Sequence, residues 1–261
     1  MFMNGKLSAT VAVIRSYNNK HVTTQVKNLL TAGIGRVIVV TNGPADKGAT
    51  PGYLGTLVND VRVQIIEMTE GYSWANALNV ALKAIQMANV SRRISWYPEF
   101  RFILNVSVEA QFTRAHLEAM LDAATDDRMI GVVGTSFEGR LDGNLVDLGR
   151  SYRHPRNTGM VIRLEAFGAM LGGFDARCDG MGGMEDIAFV LEMLALSNLQ
   201  YKMTDLQVPL ILGQHHHQPT KEEREQGAMD KILAFWRNLF PQNSPERERI
   251  DSAIATMGLD R

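Results

Sequence analysis

The 261-residue chain predicts an α/β fold: one domain with a mostly parallel central sheet and helices on both faces. Three observations predict it. Short apolar runs alternate with stretches whose apolar residues return every three or four positions, the pattern of strands alternating with amphipathic helices. Consecutive strands joined through helices run parallel and are covered on both sides. An apolar share of 45% over this length supplies the core of one large domain.

The elements follow in order. Thr10 to Ile14 is the first strand, and Val22, Val26, Leu29 and Leu30 mark the buried face of the helix after it. Val37 to Val40 is the second strand and Val61 to Ile66 the third. Trp74, Leu78, Leu82 and Ile85 recur as one face of a helix, and Phe102 to Leu104 is the fourth strand. Thr113 caps the next helix, with Leu117, Met120, Leu121 and Ala124 on its inner face, before a strand from Ile130 to Val133. Residues 136–155, rich in Gly, Arg and Asp, lack periodicity and read as an irregular loop or hairpin. Met160 to Ile162 is apolar, Ile187, Val190, Leu191 and Leu194 mark a helix, and Val208 to Leu212 is a further strand. The domain then spans 1–218, and 219–261 is a helical appendage whose Met229, Ile232, Leu233, Trp236 and Phe240 share a face that packs on it.

Composition excludes several classes. Lysine and arginine number 27 against 28 acids, a net charge of -1, so nothing overall attracts nucleic acid or an anionic membrane. A single cysteine, Cys178, rules out an intramolecular disulfide and suits a small buried role in a reducing compartment. No run approaches the roughly 18 apolar residues of a membrane span, and Met1 to Thr10 lacks the apolar core of a signal peptide. The expectation is a soluble, cytoplasmic protein with no transmembrane segment and no nucleic-acid partner.

Ligands of such sheets bind beyond the carboxyl ends of the strands. That rule singles out Arg15 to Asn18, Thr41 to Gly43, Met68 to Trp74 and Asn105 to Glu109. Further along, Gly172-Gly173-Phe174-Asp175 precedes Glu185-Asp186 at the head of a helix. Arg150, Arg153, His154 and Arg156 form a basic cluster, and guanidinium groups neutralise diphosphates well. In the triplet His215-His216-His217, alternation puts His215 and His217 on one side. Each feature also has a plainer reading: Asn-Gly is a turn signal, acids favour the first turn of a helix, and a charged loop is commonly just solvated.

In their order along residues 9 to 217 these segments resemble glycosyltransferase family two, with its GT-A (Rossmann-like) fold. Val11 to Asn18 is similar to the family's opening strand and Tyr-Asn turn, Val37 to Gly43 to its second strand, and Gly71 to Asn79 to a helix whose Asn faces the donor. Asn157 to Met160, the Gly-Gly-Phe-Asp segment and Glu185-Asp186 complete the series. The resemblance implies transfer of a sugar from a nucleotide-diphosphate donor to a hydroxyl acceptor of a glycan or other compound, with inversion. Asp186 would be the general base and Glu185 would orient the acceptor, with Asp175 and Trp74 beside it; Arg15, Tyr17, Asn18, Asn42, Asn79, Asn105 and Ser107 would contact the donor.

One departure bears on the cofactor. The family's Asp-x-Asp motif holds Mn²⁺ or Mg²⁺, but here the position reads Asn105-Val106-Ser107, whose amide and hydroxyl are weak ligands for a hard cation. Either Glu109 with His215 and His217 supplies the metal ligands, or the basic cluster replaces the cation. Alternatively the chain is a non-catalytic GT-A-like domain that binds a nucleotide, a glycan or a protein partner. A nucleotidyltransferase ranks last, because Arg15 to Asn19 lacks the Gly-rich loop that class places after its first strand.

Overall fold

The computed structural model describes residues 5–71, 73–95, 99–141, 144–146, 155–156, 158–168, 173–174, 185–211, 230–231 and 233–259. A short helix α1 (Gly5–Ser8) leads into β1 (Thr10–Ser16), α2 (Val22–Ala32) and β2 (Arg36–Asn42). Two short helices, α3 (Gly43–Asp46) and α4 (Ala49–Leu54), and a 3₁₀ turn (Gly55–Asn59) precede β3 (Val63–Met68). Then come α5 (Trp74–Ile94), β4 (Phe102–Val106), α6 (Arg114–Asp126), β5 (Ile130–Leu141), β6 (Asn144–Val146), β7 (Gly159–Arg163) and α7 (Leu164–Gly168). The chain continues through α8 (Glu185–Leu196) and β8 (Gln200–Ile211) to helical residues 233–239 (α9) and α10 (Pro245–Met257).

The sheet has eight strands in the order β3-β2-β1-β4-β7-β5-β6, with β8 on β5. β1, β2, β3 and β4 pair in parallel, as do β5 and β8; β7 lies antiparallel between β4 and β5, and β6 is antiparallel to β5. Side-chain alternation sorts the apolar residues onto two faces. Val11, Val13, Ile38, Val40 and Ile103 pack under α5, α8, α9 and α10. Ala12, Ile14, Val37, Val39 and Leu104 pack under α2, α4 and α6. Among the described residues no helix is long and apolar enough to cross a membrane.

The long helices α5 and α6 start where the sequence caps them. The Ser73 hydroxyl accepts from the Asn76 N–H at 3.1 Å, and Thr113 forms a capping box in which the His116 ring accepts the Thr113 N–H at 3.1 Å. The helix faces read from spacing are buried: Leu78, Leu82 and Ile85 on α5, and Leu117, Met120, Leu121 and Ala124 on α6. In the tail Leu233 and Trp236 are buried in the same cluster as α8, and α10 lies against α8.

Three boundaries differ from the sequence reading. The third strand begins at Val63, and Val61 is 89% exposed. Asp60 causes the shift, because its carbonyl accepts from Val63 N–H at 2.8 Å and its carboxylate from Arg62 N–H at 2.9 Å, a local turn that holds Val61 outside the ladder. β5 runs on to Leu141 through a segment read as an irregular loop or hairpin: β6 closes a hairpin on its end, and β8 pairs with it from Ile130 to Arg140, which makes the segment regular strand. β8 itself starts at Gln200, far earlier than its apolar part, since it pairs with β5 alone and an edge strand tolerates polar residues.

On the α5/α8 face, Phe189 stacks on Phe174 with ring centroids 4.5 Å apart, and Phe167 meets both at 5.4 and 5.3 Å. Phe189→Ala is expected to lower the unfolding free energy by about 3–5 kcal/mol in urea denaturation. A loss under about 1 kcal/mol would contradict this packing.

Candidate functional site

The polar residues at the carboxyl ends of the parallel strands extend the apolar columns of the α5/α8 face. Arg15 follows Val11 and Val13, Asn42 follows Ile38 and Val40, and Asn105 follows Ile103, each two residues further along the same face. Register keeps the columns side by side, with Arg15 opposite Val40 and Asn105 opposite Val13. Arg15, Tyr17, Asn42 and Ala45 line one open cleft of about 380 Å³. The Tyr17 ring is 60% exposed at its rim, available as a flat surface for a base or sugar.

Asn42-Gly43 does not form the tight turn its sequence suggests. The chain passes directly into α3, for which Asn42 occupies the capping position without a side-chain capping bond. At Gly43 a Cβ would meet the Glu67 side chain, an exposed and flexible neighbour that can move aside.

A buried network holds the cleft's outer wall. Asn18 has φ 45°, in the left-handed region, and its N–H donates to Asp46 Oδ1 at 2.9 Å while its side-chain oxygen accepts from Tyr53 Oη at 2.8 Å. Asp46 also accepts from Thr50 N–H at 2.9 Å and Thr50 Oγ1 at 2.7 Å, and Thr50 Oγ1 lies 2.9 Å from Ser16 Oγ. Asn18 therefore shapes the loop between β1 and α2, and its side-chain oxygen is already engaged. Burial by itself would raise the Asp46 pKa, but the Thr50 hydroxyl, the Thr50 N–H and the Asn18 N–H together outweigh it and hold the carboxyl below its usual value. No motif marked Asp46 as central. The only trace in the sequence is a group of short polar residues flanking two strand ends.

Asn79 is held by the Gly-Gly-Phe-Asp segment. Its carboxamide oxygen accepts from Phe174 N–H at 2.7 Å and its NH₂ donates to Phe174 C=O at 2.8 Å. Gly173, with φ 152°, has a backbone available to glycine, and a Cβ there would overlap the Asn79 carboxamide oxygen. The amide expected to face the donor thus pins Phe174 onto α5.

Asp186, second residue of α8, is fully buried. Its Oδ1 accepts from Ile187 N–H at 2.8 Å, in the first turn where the helix dipole favours a carboxylate, and Oδ2 lies 3.5 Å from Arg156 Nε. Arg156 bridges to Gly159 at the start of β7, so the pair ties α8 to the sheet. Asn105 is buried in β4, and Ser107 opens the following turn, where its N–H donates to Thr158 C=O at 2.9 Å and its hydroxyl accepts from Glu109 N–H at 3.3 Å. That turn touches β8 through an Ala110–Leu210 bridge.

Asp175, Cys178, His215, His217, Arg150, Arg153 and His154 lie outside the described residues, as do the side chains of Trp74 and Glu185. Among the described residues no three His, Cys, Asp or Glu side chains converge as a metal site. Asn105 and Ser107 bring no charge, and Glu109 alone among the described residues of this turn carries a carboxylate, a donor set that does not fit a hard divalent cation. No family model matches the chain, and no curated protein matches it.

Two tests follow from this geometry. With a depressed folded-state pKa, Asp46 contributes stability that is present above the unfolded value near 3.8 and is lost as pH falls through the lower folded value. Asp46→Asn should therefore cost about 1–2 kcal/mol at pH 7, with the gap to wild type closing below about pH 4 in acid-titrated urea melts. A gap independent of pH would refute the ionised network. Asn79→Ala leaves the Phe174 N–H and C=O unpaired and should cost about 2–3 kcal/mol, and Gly173→Ala should destabilise through the same contact. If each variant melts like wild type, the clamp is not holding the loop.

Proposed function

We propose that the chain is an inverting glycosyltransferase that moves a sugar from a nucleotide-diphosphate donor to a hydroxyl acceptor. One observation carries the reading. Residues singled out from the sequence as donor contacts, Arg15, Tyr17, Asn42 and Asn105, end on the same sheet face and at the same edge, and α5 and α8 cover that face with Asn79 and Asp186. Ligands of parallel sheets bind at that edge.

In this reading the base of the donor rests against Tyr17 and Asn42, and Arg15 faces the diphosphate. Asn105 and Ser107 contribute neutral hydrogen-bonding groups beneath it. Asp186 accepts the acceptor hydroxyl's proton as its oxygen attacks the anomeric carbon from the side opposite the leaving group. The new C–O bond forms, the sugar–phosphate bond breaks, and the nucleoside diphosphate departs with the electron pair. Arg156 lies 3.5 Å from Asp186 Oδ2 in the resting protein, and its movement toward the departing diphosphate would free Asp186 to act as base. A divalent cation would need ligands beyond Glu109, such as His215 and His217 outside the described residues, and no step above depends on one. Asn79 and Gly173 position the loop that leads to α8.

A second reading has its own support: a domain that binds a nucleotide or glycan without turnover. The burial of Asp186 beneath Arg156 favours it, since a carboxylate with no exposed surface can serve a purely structural ion pair.

Calorimetric titration with UDP, GDP, CDP and dTDP, in chelator and again with Mn²⁺, tests the donor site. One nucleotide should bind in chelator, and Arg15→Gln should weaken it by about tenfold or more. Once the donor is known, Asp186→Asn should lower product formation by about a hundredfold or more while nucleotide binding persists. Turnover that survives the substitution would eliminate the mechanism, and nucleotide binding without any product would favour the second reading.

A further inference from the structure

At the opposite, amino-terminal edge of the sheet lies a trough of about 1490 Å³, walled by α1, the ends of α5 and α6, and the β7–α7 junction. Five cationic side chains line it, Lys6, Arg93, Arg101, Arg128 and Arg163, against two carboxylates, Glu99 and Glu165. In a chain of net charge -1 this lining carries a local surplus of positive charge. Glu99 is taken by Arg93 at 2.8 Å, and Lys6 is taken by Asp122 at 2.7 Å. Arg163 is spent on backbone, with Nε donating to Ile130 C=O at 3.1 Å and Nη2 donating to the Ala124 and Asp127 carbonyls at the end of α6.

Arg101 and Arg128 remain, and among the described residues neither has a hydrogen bond or ion pair from its side chain. Their backbones are nonetheless fixed. Arg101 N–H donates to Ala9 C=O at 2.7 Å and its C=O accepts from Leu164 N–H at 2.9 Å. Arg128 sits in a turn closed by Met129 N–H to Asp127 Oδ1 at 2.8 Å and Ile130 N–H to Asp127 C=O at 3.1 Å. Two unpaired guanidinium forks on braced backbone, in one trough with excess positive charge, suit a ligand with several oxyanion groups.

We propose that this trough binds a small molecule bearing two or more linked phosphate groups, with Arg101 and Arg128 each engaging a separate phosphoryl group. A guanidinium matches phosphate in a two-point contact, and a trough of this size exceeds what one phosphate fills. The site is independent of the Arg15 cleft and of any activity there.

Calorimetry on the full chain at low ionic strength, with tripolyphosphate and orthophosphate as probes, decides the matter. Tripolyphosphate should bind at least about tenfold more tightly than orthophosphate, and the double variant Arg101→Gln/Arg128→Gln should lose about tenfold or more of that affinity. Arg15→Gln should leave it within about twofold. The Lys/Lys double variant, which keeps charge without the fork, should fall between wild type and Gln/Gln. Both positions are exposed, so an unchanged thermal melt is expected of each variant. Undetectable tripolyphosphate binding, full affinity in the Gln/Gln variant, or loss in Arg15→Gln alone would each overturn the proposal.

Discussion

The reciprocal hydrogen bonds between the Asn79 carboxamide and the Phe174 peptide are the constraint on which the α5/α8 face depends. A side-chain amide that meets both the N–H and the C=O of one residue acts as a substitute strand, satisfying a backbone segment that no sheet neighbour reaches. Residues 79 and 174 are far apart in sequence, so the contact closes a long loop, and it needs support to be maintained. Phe174 provides that support by packing its ring against both Phe167 and Phe189. Gly173 permits it by leaving the space the carboxamide occupies. Polar and apolar halves of one short segment thus work together: the hydrogen bonds set where the backbone lies and the rings supply the burial.

The Arg156–Asp186 pair raises the opposite question, because a buried ion pair is a weak stabiliser. Desolvation of two charges costs about as much as their attraction returns, whereas removing one partner costs about 3–5 kcal/mol. Such a pair contributes little as a unit and much as a restraint on either member. Asp186 is further anchored by the Ile187 N–H, while Arg156 lies on a short bridge beside β7. On the proposed reading the arginine is the partner that moves, because an incoming diphosphate offers it two charges in place of one. On the proposed reading, exchange of Arg156 between carboxylate and phosphate couples donor binding to the freeing of the base.

Much of the fold was legible in the sequence, and the reasons it was not elsewhere are physical. The strand columns and the inner faces of α2, α5 and α6 followed from periodicity, since burial on two sheet faces forces it. The carboxyl-terminal ends of the strands then pointed to Arg15, Tyr17 and Asn42 together, which the cleft brings side by side. What stayed hidden depends on pairing at a distance. The length of β5 is set by β8, some seventy residues later in the chain, so residues 136–141 carry no local sign of it. Asp46 became central through Ser16, Asn18 and Thr50, and Asn79 through Phe174, neither visible as spacing. The family resemblance assigns Asn18 and Asn79 to the donor, yet an amide that can meet a ligand can equally meet a backbone.

The neutral pair Asn105 and Ser107 gains meaning beside Arg15. Two carboxylates at that edge serve a diphosphate only when a cation sits between them; without one, like charges a few ångströms apart repel by about 1 kcal/mol even at the dielectric constant of water, and by several in a drier cleft. On the proposed reading, neutral residues at this edge suit a cleft that holds a diphosphate without a bridging cation. Asn105 is buried and uncharged on the same face as Arg15, so β4 adds no charge at the end of that face. On the proposed reading that arrangement does by fixed side chains what a metal would do by coordination, and it makes the positions of Arg15 and Arg156 the quantities to which donor affinity is most sensitive.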